Sequence, residues 1–286
     1  MKTDNRNINQ NHSGWIDLLL DKLRSNSPTT QSPDYELFEI NGQTSDDLIY
    51  PTLGNHHREK HPSLLSLFTP LPPYSGILGV CNDGLPLVMD LTDPSPGAIL
   101  ISGPRHSGKT QLLKSILLAT SQINSVDELI FYVISPQPDE YREVYQLSQC
   151  MGLYSAYDRA ASELIVDLAA LTEQRRSGRH LGAKTIVVVD NLDEFLKSEE
   201  FEVFNYMSWM LKHGARNGVW LIASISSNRM DTVNPKLLAG YSTRIESGVV
   251  LPSLPERTLN HHGANINLSY RTMIGNQWVY FWLPSS

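Results

Sequence analysis

Gly103-Pro104-Arg105-His106-Ser107-Gly108-Lys109-Thr110 fits the pattern G-x4-G-K-[ST]. Glycines in such a run let the backbone wrap a phosphate with its N–H groups, and a following helix adds the positive end of its dipole. Lys109 then brings an ammonium to the β and γ phosphates, while the Thr110 hydroxyl is a ligand for Mg²⁺. With Gln111 after it, the run forms the expected binding segment for ATP. Read on its own, the same stretch is a glycine-containing turn between a strand and a helix.

A second half to such a site is an acidic residue at the end of another buried strand, and Ile186-Val187-Val188-Val189-Asp190 supplies it. Asp190 would hold Mg²⁺ through water; its competing role is to cap the next helix. Hydrolysis asks for more, because a water must be oriented and lose a proton. The residue after Asp190 is Asn191, whose amide can hydrogen-bond a water and cannot take its proton. Asp193 and Glu194 follow, and Glu194 is the expected substitute if the turn brings it to the γ-phosphate. Both also suit the first turn of a helix, where acidic residues are favoured. ATP binding and ATP hydrolysis are therefore separate expectations.

The elements that must position these groups alternate in type. Gly97 to Ile101 is an apolar run, and Leu112, Leu113, Ile116 and Leu117 then recur at helical spacing. Glu128 to Ser135 reads as a strand and Tyr154 to Arg176 as a long helix. Ile186 to Val189 is apolar throughout, as in a parallel sheet covered on both faces. A helix around Glu199 to His213 leads to the strand Val219 to Ala223, and Ser242 to Val250 is a further strand. Gln277 to Leu283 is rich in strand-favouring residues and is expected at the sheet edge. This alternation predicts an α/β domain with a mostly parallel sheet flanked by helices.

That domain is expected over 74–286, after the stretch Pro70-Leu71-Pro72-Pro73. Residues 1–73 read as a flexible region, with one short amphipathic helix at about 13–25 built on Trp15, Ile16, Leu19 and Leu23. This helix would dock on its own domain or in a groove of a partner.

Composition sets limits. The chain has 286 residues, a net charge of −7, 41% hydrophobic and 19% charged residues, so it can bury a core and is a poor general coat for nucleic acid or anionic lipid. Cys81 and Cys150 lie far apart without ligand spacing, which suits a reducing, cytoplasmic location and argues against a disulfide framework or zinc module. No window approaches the roughly 18 apolar residues of a membrane span. His57 and His61 stand four apart, and His261-His262 adjoin, yet neither pair has a third ligand nearby.

Taken together, these segments resemble the FtsK/SpoIIIE branch of P-loop ATPases, within the FtsK-HerA superfamily. The likeness runs through Gly79-Val80 with Leu85 to Leu91, the phosphate loop, the strand ending in Asp190, Ala215 to Ser224, and Tyr241-Ser242-Thr243-Arg244-Ile245. Asn124 to Val133 and Asp190-Asn191-Leu192-Asp193 are most similar to single ATPase modules of the EccC/EssC type VII secretion proteins. The resemblance implies a RecA-like fold, ATP and Mg²⁺, and action as a homo-oligomer or with a protein partner. It also implies that Arg244 reaches a neighbour's γ-phosphate, against the simpler reading of a strand-end arginine paired with Glu246 or solvent. Ser224 or Ser226 would be the sensor, and Arg105 would touch phosphate or a partner. Ile225 stands where the DNA translocases have Gln, and Asn191 where they have Glu. The expected function is thus an ATP-binding module of secretion or translocation type with slow or conditional hydrolysis. An active double-stranded DNA translocase and a non-hydrolysing adaptor are the alternatives, with a small-molecule kinase weaker than either.

Overall fold

The computed structural model describes residues 71–81, 83–179, 182–197, 201–249 and 269–283. Of the two compact units into which the chain divides, Met1–Lys60 and His61–Ser286, all of these belong to the second. The helix expected at about 13–25 and the pairs His57/His61 and His261-His262 lie outside the described residues.

In chain order the elements are β1 (Ser75–Cys81), β2 (Pro86–Asp90), β3 (Ile99–Gly103), α1 (Lys109–Ile123), β4 (Leu129–Ser135), α2 (Arg142–Tyr145), β5 (Cys150–Ser155) and α3 (Arg159–Arg176). They continue with β6 (Lys184–Val189), α4 (Leu192–Lys197), α5 (Phe201–His213), β7 (Val219–Ser226), α6 (Pro235–Ala239), β8 (Thr243–Ser247), β9 (Ser269–Ile274) and β10 (Gln277–Trp282). The strands form one sheet in the order β2-β1-β10-β9-β8-β3-β7-β6-β4-β5. From β8 to β5 every neighbouring pair is parallel, and from β8 to β2 every pair is antiparallel.

The parallel half explains its own sequence. All eight residues of β7 are buried, because β3 and β6 flank it and helices cover both its faces. On one face Ile99, Ile101, Phe131, Val133, Ile186, Val188, Trp220 and Ile222 form a core with Leu112, Leu113, Ile116 and Leu117 of α1. Leu100, Val187, Val189, Leu221 and Ala223 alternate with them and are buried as well. On that side α3 packs on α5, and α4 and α5 reach β7.

Two expectations change. Tyr154 and Ser155 end the strand β5 and do not begin the helix, which starts at Arg159. As an outer strand paired only to β4, β5 is half-buried and lacks the apolar run that marks its inner neighbours. The C-terminal strand β10 is not at the edge: it lies between β9 and β1. The β1–β2 hairpin, which comes before the phosphate loop in the chain, folds back and covers it, pairing Cys81 with Phe281 and Val80 with Trp282.

Because Ile222 is fully buried at the centre of the sheet, Ile222→Ala should cost about 2–5 kcal/mol of unfolding free energy. Leu85→Ala, at a side chain 61% exposed, should stay within about 0.5 kcal/mol. Urea unfolding of both variants checks the pair, and equal losses would contradict this placement of the core.

Candidate functional site

The chemistry-bearing residues meet at the C-terminal ends of the parallel strands, where open α/β sheets place their ligand crevices. β7 lies between the strand that carries the loop and the strand that carries the acid. Gly103 at the end of β3 is level with Ser226, and Val189 at the end of β6 is level with Ala223. Asp190, Ser224 and the loop therefore come together although some 120 residues of chain separate Gly103 from Ser224.

The loop is held on all sides. Gly103 has no room for a side chain: a Cβ there would stand 2.7 Å from the Ser247 carbonyl oxygen. Gly108 adopts φ 87° and begins α1, a left-handed conformation that glycine takes without steric cost. The Ser107 hydroxyl lies 2.6 Å from that of Ser247 on β8, and the Tyr270 hydroxyl of β9 donates to the Gly108 carbonyl at 2.9 Å. Lys109 is buried and donates to the carbonyls of Pro104 at 2.7 Å and Gly103 at 3.1 Å. Burial pushes its ammonium pKa down, and Asp190 and Asp193 pull it back up.

Asp190 is 2% exposed and accepts three hydroxyl hydrogen bonds. Thr110 donates to Oδ2 at 2.9 Å, Tyr141 to Oδ2 at 3.1 Å and Ser224 to Oδ1 at 2.5 Å. The pairing of Thr110 with Asp190 joins the hydroxyl and carboxylate that a hard cation such as Mg²⁺ prefers. Ser224 also accepts the Asn191 backbone N–H at 2.9 Å. Asn191 sits at φ 56°, in the left-handed region where Asn is tolerated and Glu is disfavoured. The amide at this position therefore has a backbone reason.

A cavity of about 710 Å³ opens over these groups, and its lining includes Arg105 to Gln111 together with Asp190, Asn191, Asp193, Glu194 and Ser226. The sequence-predicted residues of the loop that line it, together with Asp190, Glu194 and Ser226, are thus brought together. Glu194 is ion-paired with Lys197 at 2.6 Å. Asp193 is 6% exposed, and burial, with help from Glu194, pushes its carboxyl pKa up. Arg244 is placed elsewhere. It is level with Leu100, near the start of β8, and its guanidinium donates to the Leu238 carbonyl. Glu246, its suggested partner, pairs instead with Arg271.

Lys114, Gln137, Glu140, Tyr157 and Arg229 also line the cavity, and Tyr141 lies behind it; none was expected from the sequence. Lys114 was within reach of sequence reasoning, being one helical turn beyond Thr110 on α1. The others come from loops after β4, β5 and β7, which carry no local signal. Among the described residues, no cluster of three or more His, Cys, Asp or Glu offers a further metal site. Nor is any helix there long and apolar enough to cross a membrane.

Two predictions follow from this geometry. Asn191→Glu should destabilise the fold by about 1–2 kcal/mol, whereas Asn191→Gly should not, as read by chemical unfolding. Asp193 gives a pH signature. Its folded pKa is raised, so the native state holds the proton to higher pH than the unfolded chain, and stability falls as pH rises between the two pKa values. Asp193→Asn should therefore melt above the wild type at neutral pH, with the gap closing below the ordinary Asp range. A variant that melts lower at neutral pH would contradict the raised pKa.

No protein-family model matches the sequence, and no curated protein does. Solved structures match the fold. EssC (ATPases 2 and 3) from Geobacillus thermodenitrificans is 17% identical with a TM-score of 0.58, over 76% of this chain and 48% of that one. The cytoplasmic domain of the type VII secretion ATPase EccC of Thermomonospora curvata is 17% identical with a TM-score of 0.58, over 74% and 26%. The pCW3 conjugation coupling protein TcpA, in a monomer form with ATPγS, is 15% identical with a TM-score of 0.56, over 78% and 67%. The chain thus spans 48% and 26% of the two secretion ATPases. At these identities the likeness speaks to architecture, and the described domain has the RecA-like P-loop fold of the FtsK/EccC-type ATPases.

Proposed function

We propose that this chain binds ATP with Mg²⁺ and acts through assembly, with itself or with a protein partner, as a cytoplasmic secretion- or translocation-type module whose hydrolysis is slow or conditional. The observation that carries this reading is the convergence of Lys109, Thr110 and Asp190 on one cavity, with Ser224 bonded to Asp190 from beneath it. Lys109 and the backbone N–H groups of the loop would take the phosphates. Thr110 and Asp190 would hold Mg²⁺, which when bound neutralises charge on the β and γ oxygens. The likeness of fold to EssC, EccC and TcpA supports nucleotide chemistry. Secretion rather than DNA transport draws on the net charge of −7 and on the likeness to the type VII secretion ATPase EccC.

Slow turnover draws on the acids. Asn191 cannot accept a proton, Glu194 is engaged by Lys197, and Asp193 lines the cavity but is largely buried. An assembled neighbour that reoriented Glu194 or supplied Arg244 would complete the constellation, which makes hydrolysis conditional on contact.

Calorimetric titration with Mg-ATP should show saturable binding, and Lys109→Ala should weaken it by at least about tenfold, the scale of one charge-assisted phosphate contact. Binding that survives Lys109→Ala unchanged would sink the reading. Turnover by the isolated chain should be low, and strong stimulation by double-stranded DNA would transfer the assignment to a DNA motor.

A further inference from the structure

Beside the phosphate loop the cavity is lined by acids. Asp190, Asp193 and Glu194 all line it, and with Asp190 assigned above to Mg²⁺, Asp193 and Glu194 remain as carboxylates that a triphosphate would face. Carboxylates left without a cation of their own repel a triphosphate. Among the cations lining the cavity, Lys109 and Arg105 belong to the loop, and Lys114 on α1 is paired with Glu143 at 3.2 Å. Arg229 comes from a turn in contact with α4, the helix that carries Asp193 and Glu194. It sits in the 3₁₀ turn Ser227–Thr232, which leaves β7 directly after Ser226.

Three features suit it to the task. β7 is buried along its whole length between β3 and β6, so Arg229 is carried a short way from a rigid strand. Its positive charge is felt at Asp193, which places it at the acidic rim. Its side chain is half-buried, and its guanidinium donates no hydrogen bond to a described residue, which leaves the planar fork free for phosphate oxygens. We propose that Arg229 reads the terminal phosphate of the nucleotide bound by its own chain, so that the site prefers a nucleoside triphosphate to the diphosphate. This assignment rests on the nucleotide reading above. It differs from the neighbour-supplied role suggested for Arg244, because Arg229 needs no second copy.

The test compares a non-hydrolysable ATP analogue with ADP, each with Mg²⁺, titrated calorimetrically into wild type, Arg229→Ala and Arg229→Lys. Arg229→Ala should weaken the triphosphate about 10- to 100-fold, the scale of a charge-assisted hydrogen bond, and move ADP less than about threefold. Arg229→Lys should recover part of the loss, since it keeps the charge and loses the fork. An unchanged ratio of the two affinities, whether both fall together or neither moves, overturns the assignment. Wild-type protein that binds ADP and the analogue equally also overturns it while leaving the nucleotide site standing. Wild-type protein that binds neither removes the nucleotide reading and this inference with it.

Discussion

The buried carboxylate of Asp190 ties the domain together. A charge at 2% exposure is costly unless its lone pairs are met by hydrogen bonds, and here three hydroxyls meet them. Thr110 comes from the first turn of α1, Ser224 from the central strand and Tyr141 from the 3₁₀ turn Pro138–Tyr141 after β4. Each donor fixes one element against the end of β6. Tyr141 is fully buried, and burial together with the adjacent Asp190 raises its phenol pKa well above the ordinary value, so it remains a neutral donor. Loop, acid and central strand are thereby set relative to one another by a single group.

The antiparallel half contributes to the same end. Ser247 and Gly248 press against Gly103, Ser107 and Pro104, and Tyr270 reaches the Gly108 carbonyl from β9. β9 is held in turn by its hairpin with β10, and β10 by β1. The phosphate loop is thus braced from behind by strands that take no part in the parallel core. A loop fixed in this way presents its N–H groups without reorganisation, which is the preorganisation that phosphate binding rewards.

The surroundings of Asp190 also bear on turnover. The position after it needs a left-handed backbone, which selects Asn over Glu on steric grounds. Of the two nearby acids one is ion-paired and one is buried with a raised pKa. These placements are what the proposal of slow turnover rests on.

What the sequence determined by itself was local. The phosphate loop, the apolar strand ending in Asp190, the helix of Leu112 to Leu117 and the alternation of elements could be read because each rests on backbone geometry or periodicity within a few residues. The α/β class with a mostly parallel sheet was legible for the same reason, and the RecA-like fold was implied by the resemblance of these motifs to a known family. What only the tertiary structure decided was long-range. Tyr141 and Arg229 join the site because strand order carries the ends of β4 and β7 to it, and Arg244 stands away from it because it lies near the start of β8. β10 became an inner strand because a hairpin some 190 residues earlier folded over it. Side-chain pattern records whether a strand is buried; it does not record which strand lies beside it, since that is set by the packing of the whole sheet.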